Sequence, residues 1–115
     1  MVARLRDLQA SSEHVEAAAI VSVDGLSIAS ALPAGTEEDR VSAMSAAMLG
    51  LGQRMTQELK RGNLEQIFVR GESGFVVITA IGEEAVLTVL ARKEAKLGML
   101  FLDISRASQD LKHLI

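Results

Sequence analysis

The chain has no cysteine, no tryptophan and no tyrosine, and a single proline, Pro33, among its 115 residues. Without cysteine there is no disulfide framework and no thiolate metal site, a usage that fits a reducing compartment. Aromatic residues amount to 3% while apolar residues reach 49%, so the core must be aliphatic and methionine-filled rather than built around rings. A basic stripe is missing too: the net charge is −3, with acidic and basic residues interspersed, which argues against nucleic-acid binding. No apolar run approaches the roughly 18 residues of a membrane helix. The opening MVARLRDLQASSEHVEAAAI is charged throughout, unlike a secretory signal peptide. The expectation is a cytoplasmic protein that inserts into no membrane. The mean hydropathy of +0.26, high for a short soluble chain, points to apolar surface left over for association.

Catalytic signatures are absent as well. No G-x-x-x-x-G-K-[ST] loop occurs to cradle phosphate. Gly50-Leu51-Gly52 begins a dinucleotide fingerprint, but Met55 stands where the third glycine belongs, and the segment reads as helix interior. Gly71-Glu72-Ser73-Gly74 has the bare spacing of an RNA-clamping GXXG loop, yet Glu72 would face phosphate, so a hairpin turn is the better reading. His14 and His113 lie near opposite ends with no second histidine or cysteine beside them, leaving metal binding unsupported. No serine sits in a G-x-S-x-G elbow. The expectation is no enzyme, no cofactor, no metal and no catalytic residue.

What is present reads as one α/β domain over residues 1–115. Residues 2–12 read as a short amphipathic helix or leader with Val2, Leu5 and Leu8 on one side. EAAAIVSVDGLSIASALPAG is a hairpin centred on Asp24-Gly25, the pair that favours a type I′ turn; a catalytic Asp24 is the sharper alternative, which turn chemistry makes unnecessary. Pro33 and Gly35 close the second strand. Thr36 and Asp39 match a capping box, with Thr36 as N-cap, and a helix runs from about 37 to 60, ending at Lys60-Arg61-Gly62. EQIFVRG, GFVVITAI and EAVLTVLA are strands separated by short turns. The closing helix carries Leu97, Leu100, Phe101, Ile104, Ala107, Ser108, Leu111 and Leu114 at helical spacing. The order α-β-β-α-β-β-β-α gives a five-stranded antiparallel sheet between helices.

The central helix is the informative segment. VSAMSAAMLGLGQ, residues 41–53, passes without a charge and with two glycines, each of which weakens a helix interior by about 0.8–1 kcal/mol relative to alanine. At about 100° per residue, Val41, Met44, Met48, Leu51, Met55 and Leu59 form the stripe expected to pack on the sheet. The opposite side carries Ala43, Ala46, Ala47, Gly50, Arg54 and Gln57, with small residues four apart where a solvent face would hold Glu and Lys. Such a smooth face suits pairing with its own copy in a two-fold dimer. The alternative is that Gly50 and Gly52 lie beneath a loop of the same chain, or are simply tolerated in the helix. The strand QIFVR, with Ile67 and Val69, is a second candidate for the interface, as a sheet edge that must be covered or paired. Arg54 is a candidate arginine finger, against the plainer reading of a solvated or interface arginine.

In layout and in these segments, AAAIVSVDGLSIAS, VSAMSAAMLGLGQRMTQEL, LEQIFVRGESGFVVITAIGEEAVLTVLA and KLGML, the chain resembles the Roadblock/LC7 domain family, especially its prokaryotic MglB-like branch, over about residues 12–107. That resemblance implies a profilin- and longin-like fold and dimers made by the central helix and third strand, with itself or with a paralogue. It also implies a role on a Ras-like small GTPase, whose hydrolysis MglB-type members stimulate, with Arg54, Gln53 and Arg61 as candidate contacts. It supplies no arginine finger at position 54. Eukaryotic members act as dynein light chains or scaffold subunits, so an adaptor without nucleotide dependence is the alternative. A small-ligand sensor with the sheet as pocket floor is the third reading, weakened by the lack of Trp, Tyr and convergent polar groups.

Overall fold

In the computed structural model, which describes residues 1–114, α1 (Val2–Ser11) is followed by β1 (Val15–Ser22), β2 (Ser27–Ala31), α2 (Glu38–Glu58), β3 (Gln66–Gly71), β4 (Gly74–Ile81), β5 (Ala85–Arg92) and α3 (Leu97–Lys112). The sheet is antiparallel with strand order β2-β1-β5-β4-β3, as the expected α/β class requires. β5 lies at the centre, which is why seven of its eight positions carry apolar or β-branched side chains and most are buried on both faces. The long-range closure is β1 against β5, with Ala18 opposite Val89 and Ile20 opposite Leu87. β2 and β3 are the two edges.

Three local details differ from the sequence expectation. The Asp24-Gly25 hairpin is not a two-residue type I′ turn, because Asp24 does not adopt positive φ. Ser22 and Leu26 pair instead (Ser22 N–H to Leu26 C=O, 2.8 Å) across three residues, with Gly25 N–H donating to Ser22 C=O at 3.0 Å and Gly25 at φ +87°. That is a type I turn closed by a left-handed glycine. At the start of α2 the capping box does not form: Glu37 is the N-cap, and no side chain caps it. Glu38 turns sideways to the β2 edge, where the Ser27 and Ser30 hydroxyls donate to its Oε1. At the end of α2 the residue that closes the helix is Lys60, in the left-handed region (φ +57°), with Gly62 also at positive φ (+85°) two residues on. Arg61 N–H bonds Thr56 C=O and Lys60 N–H bonds Gln57 C=O, the paired hydrogen bonds of a Schellman ending.

The two faces of the sheet are covered unequally. On one, α1 and α3 lie side by side, tied by an Arg4–Asp110 ion pair at 2.8 Å. They close a core in which Leu5, Leu8, Ile20, Leu87, Leu100, Ile104 and Leu111 are sealed from solvent. The chain's three phenylalanines gather at the margin of this layer, Phe68 stacking on Phe75 and meeting Phe101 edge-on. On the other face α2 lies alone over a smaller cluster of Ala19, Val21, Leu49, Ile78 and Val86. α3 lacks Leu114, which is exposed beyond its end.

Candidate functional site

The inward line of α2 is Ser42, Ser45 and Leu49, buried, continued by half-buried Gly52 and Thr56. This overturns the expectation that the Met44–Leu59 stripe packs on the sheet. Small residues let the helix axis settle close over Ala19 and Val21, and the serines satisfy their hydroxyls within the helix. Ser42 Oγ donates to Glu38 C=O at 2.9 Å and Ser45 Oγ to Val41 C=O at 2.8 Å, which removes most of the cost of burying them. Ser45 Oγ also meets Thr88 Oγ1 of β5 at 2.8 Å, fixing the helix to the central strand.

With the small residues inward, the long apolar ones are displaced about a quarter turn round the helix. Met44, Met48, Leu51, Met55 and Leu59 are exposed by 37–63%. Beside Met44 and Met48, α2 stands away from the sheet over β3, β4 and the end of β5. The gap is a groove of about 370 Å³ walled by Val69, Val76, Ile78 and Leu90 and by the two methionines. Its exposed lining is apolar, since Ser45 and Thr88 direct their hydroxyls at each other. β3, which forms the rim, is exposed at five of its six positions. An uncharged helix stripe, an apolar groove and an unpaired strand edge are therefore contiguous. Chemically, such a surface suits contact with another apolar helix and strand; apart from the methionine thioethers, its exposed lining is inert.

The residues singled out from sequence fall into three groups. Ala43, Ala47, Gly50, Arg54 and Gln57 lie exposed along the outer flank of α2, and a β-carbon at Gly50 would touch nothing. Ala46 and Ile67 make contacts within the chain. A β-carbon at Gly25 of the hairpin would stand 3.5 Å from Ala46 Cβ, and one at Gly52 would press to 3.0 Å on Ile67 Cδ1 and Leu64 Cδ2. The two glycines thus differ: Gly52 sits beneath a segment of the same chain, as the alternative reading held for both, while Gly50 is open. Val69 belongs to the groove. Arg54 forms an exposed ion pair with Glu58 at 3.1 Å; Gln53 and Arg61 are exposed near it. Met44, Met48, Val76 and Leu90 were not singled out for this surface. The signal for the two methionines was present, because an apolar stripe and a neutral flank on one helix leave it no charged face.

On the opposite layer a cleft of about 330 Å³ between β4 and α3 is bordered by Glu65, Gln66, Thr79, Phe101, Ser108 and Lys112. Its polar side chains come from the rim rather than converging from within, apart from Ser108, whose Oγ is sealed without a hydrogen bond among the described residues.

Residues 1–91 match the model of the Roadblock/LC7 domain. The Methanocaldococcus jannaschii protein MJ1340 is 34% identical over 101 residues, covering 88% of either chain. Among solved structures, the Roadblock/LC7 domain from Streptomyces avermitilis superposes with a TM-score of 0.93 at 20% identity, over 99% of this chain and 96% of that one. Myxococcus xanthus MglB gives 0.93 at 19% identity, over 98% and 92%. The same layering extends to Acanthamoeba castellanii profilin IB, with a TM-score of 0.71 at 14% identity, over 98% and 97%. The structural likenesses establish the fold, and the family match and the sequence relative together establish the descent: the chain belongs to the Roadblock/LC7 family.

Proposed function

We propose that this protein is a non-catalytic regulatory module, a single domain over residues 1–115, whose two copies pair through α2 and β3. The paired surface binds a Ras-like small GTPase in the cytoplasm and modulates its nucleotide cycle. The observation that carries the reading is the continuous apolar face of Met44, Met48, Leu51, Met55 and Val69 beside an unpaired strand edge. Knob and hole lie on the same face, so a two-fold axis lets the methionines of each copy fill the groove of the other. Residues 41–53 carry no charge, so self-pairing meets no like-charge repulsion there. Ala47 and Gly50, at the margin of the stripe, let the two helices approach closely. Arg54, Gln53 and Arg61 remain on the outer flank for the GTPase. The GTPase partner follows from the resemblance to MglB-type members of the family.

Light scattering tests the pairing. Met48→Arg should give a monomer of unchanged fold, and Gly50→Arg a weakened dimer; an unchanged oligomer in both variants sinks the reading. The partner is tested by binding to a Ras-like GTPase of the same organism, loaded in turn with a GTP analogue and with GDP. Preference for the triphosphate form with faster hydrolysis identifies an activator, and preference without acceleration a docking role. Equal binding to both forms identifies the scaffold alternative.

A further inference from the structure

All the sulfur of this chain is thioether: five methionines and no cysteine. Three of the five, Met44, Met48 and Met55, lie on the exposed stripe of α2, and two of these wall the apolar groove. We propose that Met44 and Met48, with Met55, form an oxidation site through which a hydroperoxide controls self-association. The inference rests on the pairing proposed above. In a separated protomer the three methionines are exposed to solvent; in the proposed pair they would be covered. Oxidation therefore acts on the monomer and holds it there.

The step is balanced without any further reactant. A sulfur lone pair attacks the terminal peroxide oxygen, the S–O bond forms as the O–O bond breaks, and the departing oxygen leaves as water or an alcohol after taking the proton. Sulfur is oxidised by two electrons and the hydroperoxide is reduced by two. The product sulfoxide is polar, and a sulfoxide reductase reverses it. No thiol of the same chain competes for the oxidant.

No side chain of the groove has a hydrogen to offer the new oxygen. Ser45 donates its hydroxyl hydrogen to Val41 C=O, which leaves Thr88 to donate to Ser45 Oγ; both hydrogens are used. The remaining walls, Val69, Val76, Ile78 and Leu90, hold no side-chain donor. Each sulfoxide oxygen would enter the interface without a side-chain partner in the groove, and each should weaken pairing by about tenfold or more.

Met99 provides an internal control. It lies on α3, across the sheet from α2, and is exposed by 56%, the same as Met44. The experiment treats the full chain with hydrogen peroxide over a range of protein concentrations, with peptide mass spectrometry at every methionine and light scattering before and after. Met99 should oxidise at one rate throughout, while Met44 and Met48 slow by about tenfold or more as the dimer forms, if exposure in the free protomer sets their rate. The oxidised protein should be monomeric. A variant with Met44→Leu, Met48→Leu and Met55→Leu, which keeps volume and apolarity, should remain dimeric in peroxide. A dimer that persists with Met44 and Met48 fully oxidised overturns the inference, as does a triple-leucine variant that dissociates in peroxide. A monomer at every concentration before peroxide is added overturns the pairing itself, a failure visible before the oxidant enters.

Discussion

The two faces of one sheet solve the same problem differently. Under α1 and α3, leucine and isoleucine from both helices meet the sheet, and the largest buried side chains of the molecule are concentrated there. Under α2, serine, leucine and glycine bring one helix close to the strands, and that helix's own methionines and leucines are left outside. The first layer is complete within one chain. The second is complete only in its inner half, and a groove stands where a second layer of side chains would lie. Burial is the driving force in both, so the open layer is where we propose that a second copy completes the packing.

The sharpest way to break the comparison is to remove equal apolar bulk from each layer. Leu100→Ala, in a side chain with no exposure, should cost about 2–5 kcal/mol in chemical denaturation, from lost transfer energy plus a cavity, and should leave the monomer–dimer equilibrium of the surviving folded protein unchanged. Met48→Ala should cost the separated protomer about 0.5 kcal/mol or less, as for other surface changes, while weakening association. If the two variants shift stability alike, the layers are not distinct in the way described.

A second perturbation targets the join between α2 and the sheet. Ser45→Ala removes the partner of Thr88, whose hydroxyl is then buried without a hydrogen bond, at a cost of about 1–3 kcal/mol. Adding Thr88→Val to that variant should recover most of the loss, since an apolar pair of similar shape has no unmet polar group. Urea denaturation of the two single variants and the double variant measures the coupling, and strictly additive losses would mean the hydroxyl pair does not hold the helix.

How much of this could be read beforehand follows from which rule dominated each segment. The three C-terminal strands and α3 were legible because β-branched runs and helical spacing agreed with burial. The flank proposed for pairing is legible in the absence of charge, but its two glycines are not separable, because nothing local tells Gly52 beneath Leu64 from Gly50 in the open. The face of α2 that meets the sheet was misread for a physical reason. Hydrophobicity assigns Met44 and Met48 to the interior, yet Ser42 and Ser45 are buried because their hydroxyls bond the preceding turn. A stripe of Ser42, Ser45, Leu49 and Gly52, three of the four small, carries that information, and the methionines outweigh it. At the N-terminus of α2, Thr36 and Asp39 fit a capping pattern, but Glu38 found stronger partners outside the helix on the β2 edge.

That clasp supplies the smallest effect, and its sign is fixed. The Ser27 hydroxyl first and the Ser30 hydroxyl second stabilise the Glu38 carboxylate and hold its pKa below the ordinary value of 4.5, with slight desolvation opposing them. A carboxyl whose pKa is lower in the folded state contributes stability above the unfolded value, and that contribution is lost as pH falls through the folded one. The clasp should therefore be intact at neutral pH and release β2 from the start of α2 in the range below pH 4.5. Because Glu38 is exposed, the loss is local, at the β2 edge rather than in the closed layer. Glu38→Gln removes the titration while keeping an oxygen for Ser30, so wild type and variant should differ in hydrogen exchange of the β2 amides at pH 6 and converge once the pH is low enough to protonate the wild-type carboxyl as well. A difference that persists unchanged at the lower pH would show that the charge on Glu38 is not what binds the edge strand to the helix.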